Sequence, residues 1–276
     1  MFNYQTLAVD LHRPSRSMVV TIKSEASYLE KLFELEGLLN WCLDKVEITT
    51  LLLQGALGGH HLSPTSDEFG RLENDKIEKL ANKFQKLSEL LLLIPSTTIV
   101  DLHKGGGGFG QDWALAADIL LADDQAHWSF TGSKSGMPFF AGGLLSLAAH
   151  GLLGHARSAL AKSKTVDLKK MATLGLPLEF YNASSRDYII ADLIRDFHSQ
   201  APLVRLQQKK ACLQMLYPQI EQAKKIEREV LGLSILSQDW KEALASQLTG
   251  NRVQFKTAME IREIIRSRDP EQEQNQ

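Results

Sequence analysis

Two glycine-rich segments, each after an apolar strand-like run, are the part of the sequence most suggestive of chemistry. One is GALGGHH from Gly55 to His61, and the other is KGGGGFGQD from Lys104 to Asp112. Glycine lets a backbone N–H approach a ligand oxygen closely, because no side chain stands in the way. If the preceding runs are parallel strands, both turns lie at the carboxyl edge of one sheet. The pattern therefore favours an oxyanion hole, in which two backbone donors stabilise an enolate oxygen.

The second run also fits a dinucleotide-binding fingerprint. Gly105, Gly107 and Gly110 match GxGxxG, a motif that requires a strand before it and a helix after it. A further strand ending in an acid should follow, but Asp123 and Asp124 come directly after the predicted helix. A flexible loop is a third interpretation, although linkers seldom separate two apolar elements. A nucleotide-dependent oxidoreductase therefore stays a minor alternative.

Histidines and tryptophans near these turns have simpler explanations than ligand binding. His60, His61 and His103 could bind a metal, but adjacent histidines in an extended segment point in opposite directions and no HExxH motif accompanies them. Trp113 and Trp128 are more typical of a hydrophobic core. We predict no metal site.

Strand and helix patterns alternate in the part of the chain that leads to the glycine run. In chain order the periodicity predicts a hairpin from YQTLAVDL and SMVVTIKS, a helix through Leu32 to Leu43, a strand at EITTLLL, a helix through Ile77 to Leu91 that Pro95 ends, and a strand at STTIVDL. After the glycines it predicts a third helix at QDWALAADILLA, a short strand at HWSF and a helical segment at GGLLSLAAHGLLG.

Helical periods predominate from about Asp167 onward, so the sequence predicts an α/β core followed by a helical part. We place the core at residues 1–200, a helical oligomerisation region at 201–267 and a disordered tail at 268–276. The tail prediction rests on RDPEQEQNQ, which contains no apolar residue.

Composition excludes several classes of protein. The 276 residues are 43% hydrophobic and carry a net charge of −2, which suits a globular protein and gives no nucleic-acid footprint. The most apolar window, LSELLLLI, is too short to span a bilayer. Two distant cysteines, Cys42 and Cys212, argue against a disulfide framework, and the N-terminus lacks the features of a signal peptide. We therefore expect a cytoplasmic protein that binds neither nucleic acid nor membrane.

The central sequence resembles the crotonase (enoyl-CoA hydratase/isomerase) superfamily. The resemblance rests on TTIVDLHKGGGGFGQDWALAADILLADDQAHWSF and on SGMPFFAGGLLSLAAHGLLGHARSALA. Asp118 corresponds to the acid that ends the family's central helix, and Ala141 to Gly143 correspond to its AGG loop. GALGGHHL falls where the family has its first oxyanion turn, and the likeness extends over residues 3–257.

The resemblance implies a crotonase-like spiral of ββα units whose helical C-terminal region drives assembly into homotrimers or hexamers. It also implies an acyl-CoA thioester as ligand, with coenzyme A entering as part of the substrate and no other cofactor. The thioester oxygen would lie between two backbone N–H groups, which allows an enolate to form.

Family positions carry over onto particular residues of this chain. The resemblance implies that the donors are the N–H groups of His60 and Phe109, although the family usually has glycine at the second position. Asp112 occupies the position of the first catalytic acid, and Gly132 stands where hydratases have a second glutamate. Substrate contacts are implied at Gly58, Gly59, His61, Leu62, Gly108, Gly132 and Phe139.

A single acid leaves two functional hypotheses. Hydration of an enoyl thioester uses one group for water and another for the α-proton, so Asp112 alone favours a lyase or isomerase reaction of the kind found in single-acid members. The alternative is a binding or assembly subunit that has lost catalysis. Two features favour it, the glycine at position 132 in place of a glutamate and the bulky Phe109 at a position where the family usually has glycine. Asp112 could also serve only as a complement to a helix dipole.

Overall fold

The computed structural model of the chain describes residues 3–57, 61–107, 111–130, 142–162, 165–249 and 255. The strands within these ranges are β1 (Leu7–His12), β2 (Ser17–Ile22), β3 (Thr50–Gly55), β4 (Thr97–Asp101), β5 (Gly105–Gly106), β6 (Ile119–Asp123), β7 (His127–Ser129), β8 (Thr165–Asp167) and β9 (Leu178–Tyr181). The helices are α1 (Tyr28–Cys42), α2 (Ser66–Gly70), α3 (Asn74–Leu93), α4 (Gly143–Ala149), α5 (Leu153–Lys162), α6 (Leu168–Thr173), α7 (Arg186–Ser199), α8 (Pro202–Ser234) and α9 (Gln238–Thr249).

A six-stranded sheet of order β1-β2-β3-β4-β6-β9 forms the centre of the fold. The β1–β2 hairpin is antiparallel, as predicted, and every other neighbouring pair in this sheet is parallel. A smaller sheet has the order β5-β7-β8. The predicted α/β class with a helical C-terminal part is confirmed.

Alternating side chains of the central sheet divide between two apolar layers. Leu51, Leu53 and Val100 belong to the main core, whereas Leu52 and Ile99 face the other way and pack with residues of α7. This is the period-two alternation of a strand, and it buries both faces of β3 and β4, as in parallel sheets covered by helices.

The predicted third helix at QDWALAADILLA is wrong. Its first part is a 3-10 helix over Asp112–Ala116, and its second part is β6, which pairs with β4 on one side and β9 on the other. A short continuous apolar run such as Ile119–Ala122 fits a buried strand as well as a helix. Here the run forms a strand because the edges of β4 and β9 are both available for backbone pairing with it. A dinucleotide-binding motif requires a long helix after the glycines. Only a five-residue 3-10 helix follows them here, which argues against that interpretation.

The C-terminal part is helical, as predicted, with differences in detail. Helix α8 is continuous over its whole length, even though Pro218 lies inside it. The periodicity missed the short strands β8 and β9. Helix α8 packs against α3 and α4. It begins at Pro202, next to the boundary predicted at residue 200. The predicted disordered tail at 268–276 lies outside the described residues. Among the helices described, none combines the length and apolarity needed to cross a bilayer.

Candidate active site

The first glycines of the run serve strand packing rather than ligand approach. Gly105 and Gly107 have φ values of +89° and +109°, in the left-handed region where side chains are strained. A Cβ on Gly105 would overlap the backbone of His127, and one on Gly107 would come within 2.6 Å of the Ser129 N and O atoms. These glycines therefore let the turn lie directly against β7, with which β5 pairs.

A buried glutamine joins the two glycine-rich segments. The Nε2 of Gln111 donates to the carbonyl of Leu57 at 3.2 Å, and its Oε1 accepts from the N–H of Gly107 at 2.5 Å. Leu57 lies just beyond the end of β3, and Gly107 directly follows the short strand β5, into which the chain leads from the end of β4. The two segments therefore meet beyond the carboxyl ends of the parallel strands β3 and β4, as predicted. No local feature of the sequence distinguishes Gln111 from an ordinary polar residue.

Asp112 lies next to this junction and is almost fully buried, at 2% exposed. It is the first residue of a five-residue 3-10 helix. This helix is too short to supply the dipole that Asp112 would complement in a purely structural role. His150 holds this helix from outside, with Nε2 lying 2.6 Å from the Leu115 carbonyl. Burial lowers the pKa of His150, which favours a neutral ring that donates from Nε2.

Most of the other predicted site residues fall outside the described ranges. Those that do are Gly58, Gly59, His60, Gly108, Phe109, Gly132 and Phe139. Of the remaining two, His61 is exposed and Leu62 is a fully buried member of the main core. The two donors and the substrate contacts stay predictions, whereas Trp113 and Trp128 are core residues, as expected.

Asp118, which the resemblance aligns with the acid that ends the family's central helix, instead directly precedes strand β6 and binds protein groups. Its Oδ2 accepts from the N–H of Thr98 at 2.7 Å and from the Thr98 hydroxyl at 2.9 Å. The same oxygen lies 2.6 Å from Nζ of Lys209. Asp118 therefore joins the amino ends of β4 and β6 to α8.

A second buried acid, Glu227 of α8, caps the start of α4. Its carboxylate accepts from the N–H groups of Gly142 at 3.0 Å and Leu144 at 2.5 Å, and from Nε2 of Gln85 at 2.6 Å. Burial raises its pKa, although these hydrogen bonds oppose the shift. Because Glu227 stands in the charged stretch KKIEREV, no local signal distinguished it from a solvated side chain.

A polar cluster also stands at the carboxyl ends of the strands. Asp101 accepts from the Tyr181 hydroxyl at 2.7 Å and from Nε of Arg186 at 2.8 Å. Arg186 continues to Gln54 at 2.6 Å, and Nδ1 of His103 lies 3.2 Å from the Tyr181 oxygen. Burial and the bond to Asp101 raise the pKa of Tyr181, so the phenol stays protonated. The cluster fastens the start of α7 to the sheet.

Two further features bear on ligand binding. Within the part of the chain that the structure describes, no group of three or more His, Cys, Asp or Glu side chains is arranged to hold a metal ion. A cavity of about 410 Å³ lies between the end of α3 and α8 and is lined by residues including Leu93, Leu206 and Lys209. Lys209 bonds to Asp118 and to the Ser96 carbonyl, so this cavity is at the amino edge of the sheet, opposite the glycine-rich segments.

Comparison with known proteins identifies the fold. No protein-family model matches the sequence, and no curated protein matches it. An enoyl-CoA hydratase structure from Mycobacterium avium subsp. paratuberculosis K-10 superposes with a TM-score of 0.72 at 17% identity, covering 89% of this chain and 100% of that one. An enoyl-CoA hydratase/isomerase from Pseudoalteromonas atlantica T6c gives 0.72 at 17% identity, covering 91% and 100%.

A methylmalonyl-CoA decarboxylase bound to 2-nitronate-propionyl-CoA gives a TM-score of 0.71 at 15% identity, with 92% of this chain and 99% of that chain covered. These proteins all have the crotonase fold, and so does this chain. The predicted resemblance is confirmed at the level of fold over nearly the whole chain, although the sequence identity to these structures is only 15–17%.

Proposed function

We propose that this protein binds an acyl-CoA thioester and stabilises its enolate between the backbone N–H groups of His60 and Phe109. The observation that carries the proposal is the shared contact of Gln111 with Leu57 and Gly107. These two residues directly precede the segments assigned to the donors, so the Gln111 side chain connects the backbone that leads into both segments. The crotonase fold of thioester enzymes such as methylmalonyl-CoA decarboxylase supports the same assignment.

Asp112 acts in this proposal as the acid/base that exchanges the α-proton. Two backbone donors aimed at the enolate oxygen would each contribute about 3 kcal/mol to the transition state. With Gly132 in place of a second acid, a reaction that needs one proton-transfer group, such as isomerisation or decarboxylation, fits better than hydration.

The experiment measures thioester binding by calorimetry and α-proton exchange of butyryl-CoA in D₂O by NMR. We expect the wild type to bind and exchange, and Asp112→Asn to bind but lose exchange by at least about a hundredfold. Asp10→Asn, on the exposed edge strand β1, is the matched control and should behave as wild type. Absence of binding to butyryl-, crotonyl- and methylmalonyl-CoA would overturn the proposal.

A binding or assembly subunit without catalysis is the second candidate, and the 2% exposure of Asp112 favours it. A general acid must reach its substrate, so a carboxyl that stays buried when ligand binds cannot transfer the proton. The same measurements separate the two functions. If the wild type binds a thioester but does not exchange its α-proton, the protein is a binding or assembly subunit without catalysis.

Assembly into a homotrimer or hexamer is part of the proposal. Helix α8 exposes large apolar side chains, among them Leu203, Val204, Tyr217 and Met215, the last 82% exposed. Such residues suit a subunit interface, and light scattering of the purified protein gives the copy number directly. We further propose a cytoplasmic location, in keeping with the free thiols of Cys42 and Cys212.

A further inference from the structure

We infer that Gln111 is a positioning residue that holds Leu57 and Gly107, the described residues that lead into the two proposed donor segments, in a fixed relative position. The inference rests on the proposed function, because it assigns Gln111 a part in that same site. Gln111 is 6% exposed, and its amide joins Leu57, which lies 54 residues earlier in the chain, to Gly107, which lies 4 residues earlier.

The chemistry of its two partners determines the orientation of the amide. The Leu57 carbonyl can only accept a hydrogen bond and the Gly107 N–H can only donate one, so Nε2 must face Leu57 and Oε1 must face Gly107. A side chain with both a donor and an acceptor at this reach is needed, which excludes apolar residues and ionised acids.

Each end of this connection rests on fixed backbone. On one side Ala56 donates to the Ile22 carbonyl at 2.8 Å and Leu57 to the Gly55 carbonyl at 2.9 Å. On the other side Gly105 donates to the Leu102 carbonyl at 2.9 Å. The amide therefore joins two anchored segments rather than two free loops.

Glycine at position 106 makes room for the amide. Gly106 does not have a positive φ, so its backbone conformation is open to other residues, but a Cβ there would overlap the Oε1 and lie 2.7 Å from the Cδ of Gln111. The second glycine of the run is thus explained by Gln111, as Gly105 and Gly107 are explained by β7.

The functional consequence follows from short sequence distances. His60 is three residues beyond Leu57, and Phe109 is two residues beyond Gly107. An oxyanion hole works only when its donors are held close to the position of the developing charge, and positioning errors of about 0.5–1 Å are costly. Loss of the amide should therefore lower the chemical rate more than it lowers thioester affinity.

The test compares Gln111→Met, which keeps the length but loses both hydrogen bonds, with Gln125→Met at an exposed glutamine. We expect Gln111→Met to lower the rate of α-proton exchange from bound butyryl-CoA by about tenfold or more, with a smaller change in Kd. Gln125→Met should match wild type in both.

A pH-dependent variant gives a signature that a purely structural role would not produce. In Gln111→Glu the ionised carboxylate would present an acceptor to the Leu57 carbonyl, whereas the protonated acid can donate to Leu57 and accept from Gly107. The exchange rate of this variant relative to wild type should rise as pH falls, while that of Gln111→Met relative to wild type should not.

Hydrogen exchange of the Gly107 amide tests the contact without any ligand. We expect protection in wild type and faster exchange in Gln111→Met and in Gly106→Ala, with Gly37→Ala as control because a Cβ there meets nothing within 4 Å. If wild type is active and folded Gln111→Met equals it in exchange rate, Kd and Gly107 protection, the inference is wrong and the proposed function survives. If wild type binds no thioester while Gly107 loses protection only in the variants, the contact is structural and both proposals fall.

Discussion

The carboxylate of Asp118 and the ammonium of Lys209 lie 2.6 Å apart, and this pair connects the amino edge of the central sheet to α8. The side chain of Lys209 is only 13% exposed. Burial lowers its pKa while the charge of Asp118 opposes the shift. Nζ of Lys209 also donates to the Ser96 carbonyl at 2.9 Å. Asp118 thus stabilises the fold at the sheet edge opposite the glycine-rich segments.

Breaking this pair should destabilise the protein. Asp118→Asn leaves a buried lysine without its counter-charge, and we expect a loss of about 3 kcal/mol in the free energy of unfolding by urea titration. In the double variant with Lys209→Met, the loss should be smaller than the sum of the single losses. Asp67→Asn, in an exposed pair with Arg71, should give no resolvable change. Additive losses would show that the two side chains are not coupled.

The cap formed by Glu227 gives a second prediction, for both stability and pH. Glu227→Ala leaves the N–H groups of Gly142 and Leu144 without their acceptor, at an expected cost of about 3 kcal/mol. Glu229→Ala, two residues away and exposed, is the control and should change little. Urea unfolding of the three proteins measures both effects, and equal losses in the two variants would refute the cap.

The pH dependence follows from the raised pKa of Glu227. The folded state holds this proton more tightly than the unfolded state, so stability is lost as pH rises from about 4.3 through the raised value. Relative to Glu227→Gln, which does not titrate, wild type should therefore become less stable over that window. A difference that stays flat, or that grows with pH, would contradict the assignment.

The two cysteines should differ in reactivity. Cys42 is fully buried in α1, and burial raises the pKa of its thiol to about 12, whereas Cys212 is exposed. Since the thiolate is the reactive form, a thiol reagent at neutral pH should label one cysteine in the native protein and two in urea. Cys212→Ser should show no rapid native labelling, and rapid labelling of that variant would place Cys42 at the surface instead.

Local sequence patterns were sufficient for the elements whose residues carry a clear period. The hairpin of β1 and β2 and the amphipathic helices α1 and α3 all form where they were predicted, although both helices begin earlier than the predicted segments. Helix α3 ends directly before the Ile94–Pro95 step, because proline cannot continue the hydrogen bonding of a helix. In the glycine run, sequence also singled out Asp112 and the meeting of the two turns at one sheet edge.

Tertiary structure decided the conformation and the roles of residues that show no hydrophobic periodicity in the sequence. The stretch Ile119–Ala122 is a strand because β4 and β9 lie on either side of it, and its own apolar composition fits a helix equally well. Gln111 and Glu227 acquire their roles from partners 54 and 85 residues away. Local propensity reports only on near neighbours, whereas a buried polar group must find its partners wherever the folded chain brings them. For that reason the sequence alone predicted the crotonase fold, and Asp112 as its acid stays a prediction, whereas only the folded structure showed what holds the glycine-rich segments together.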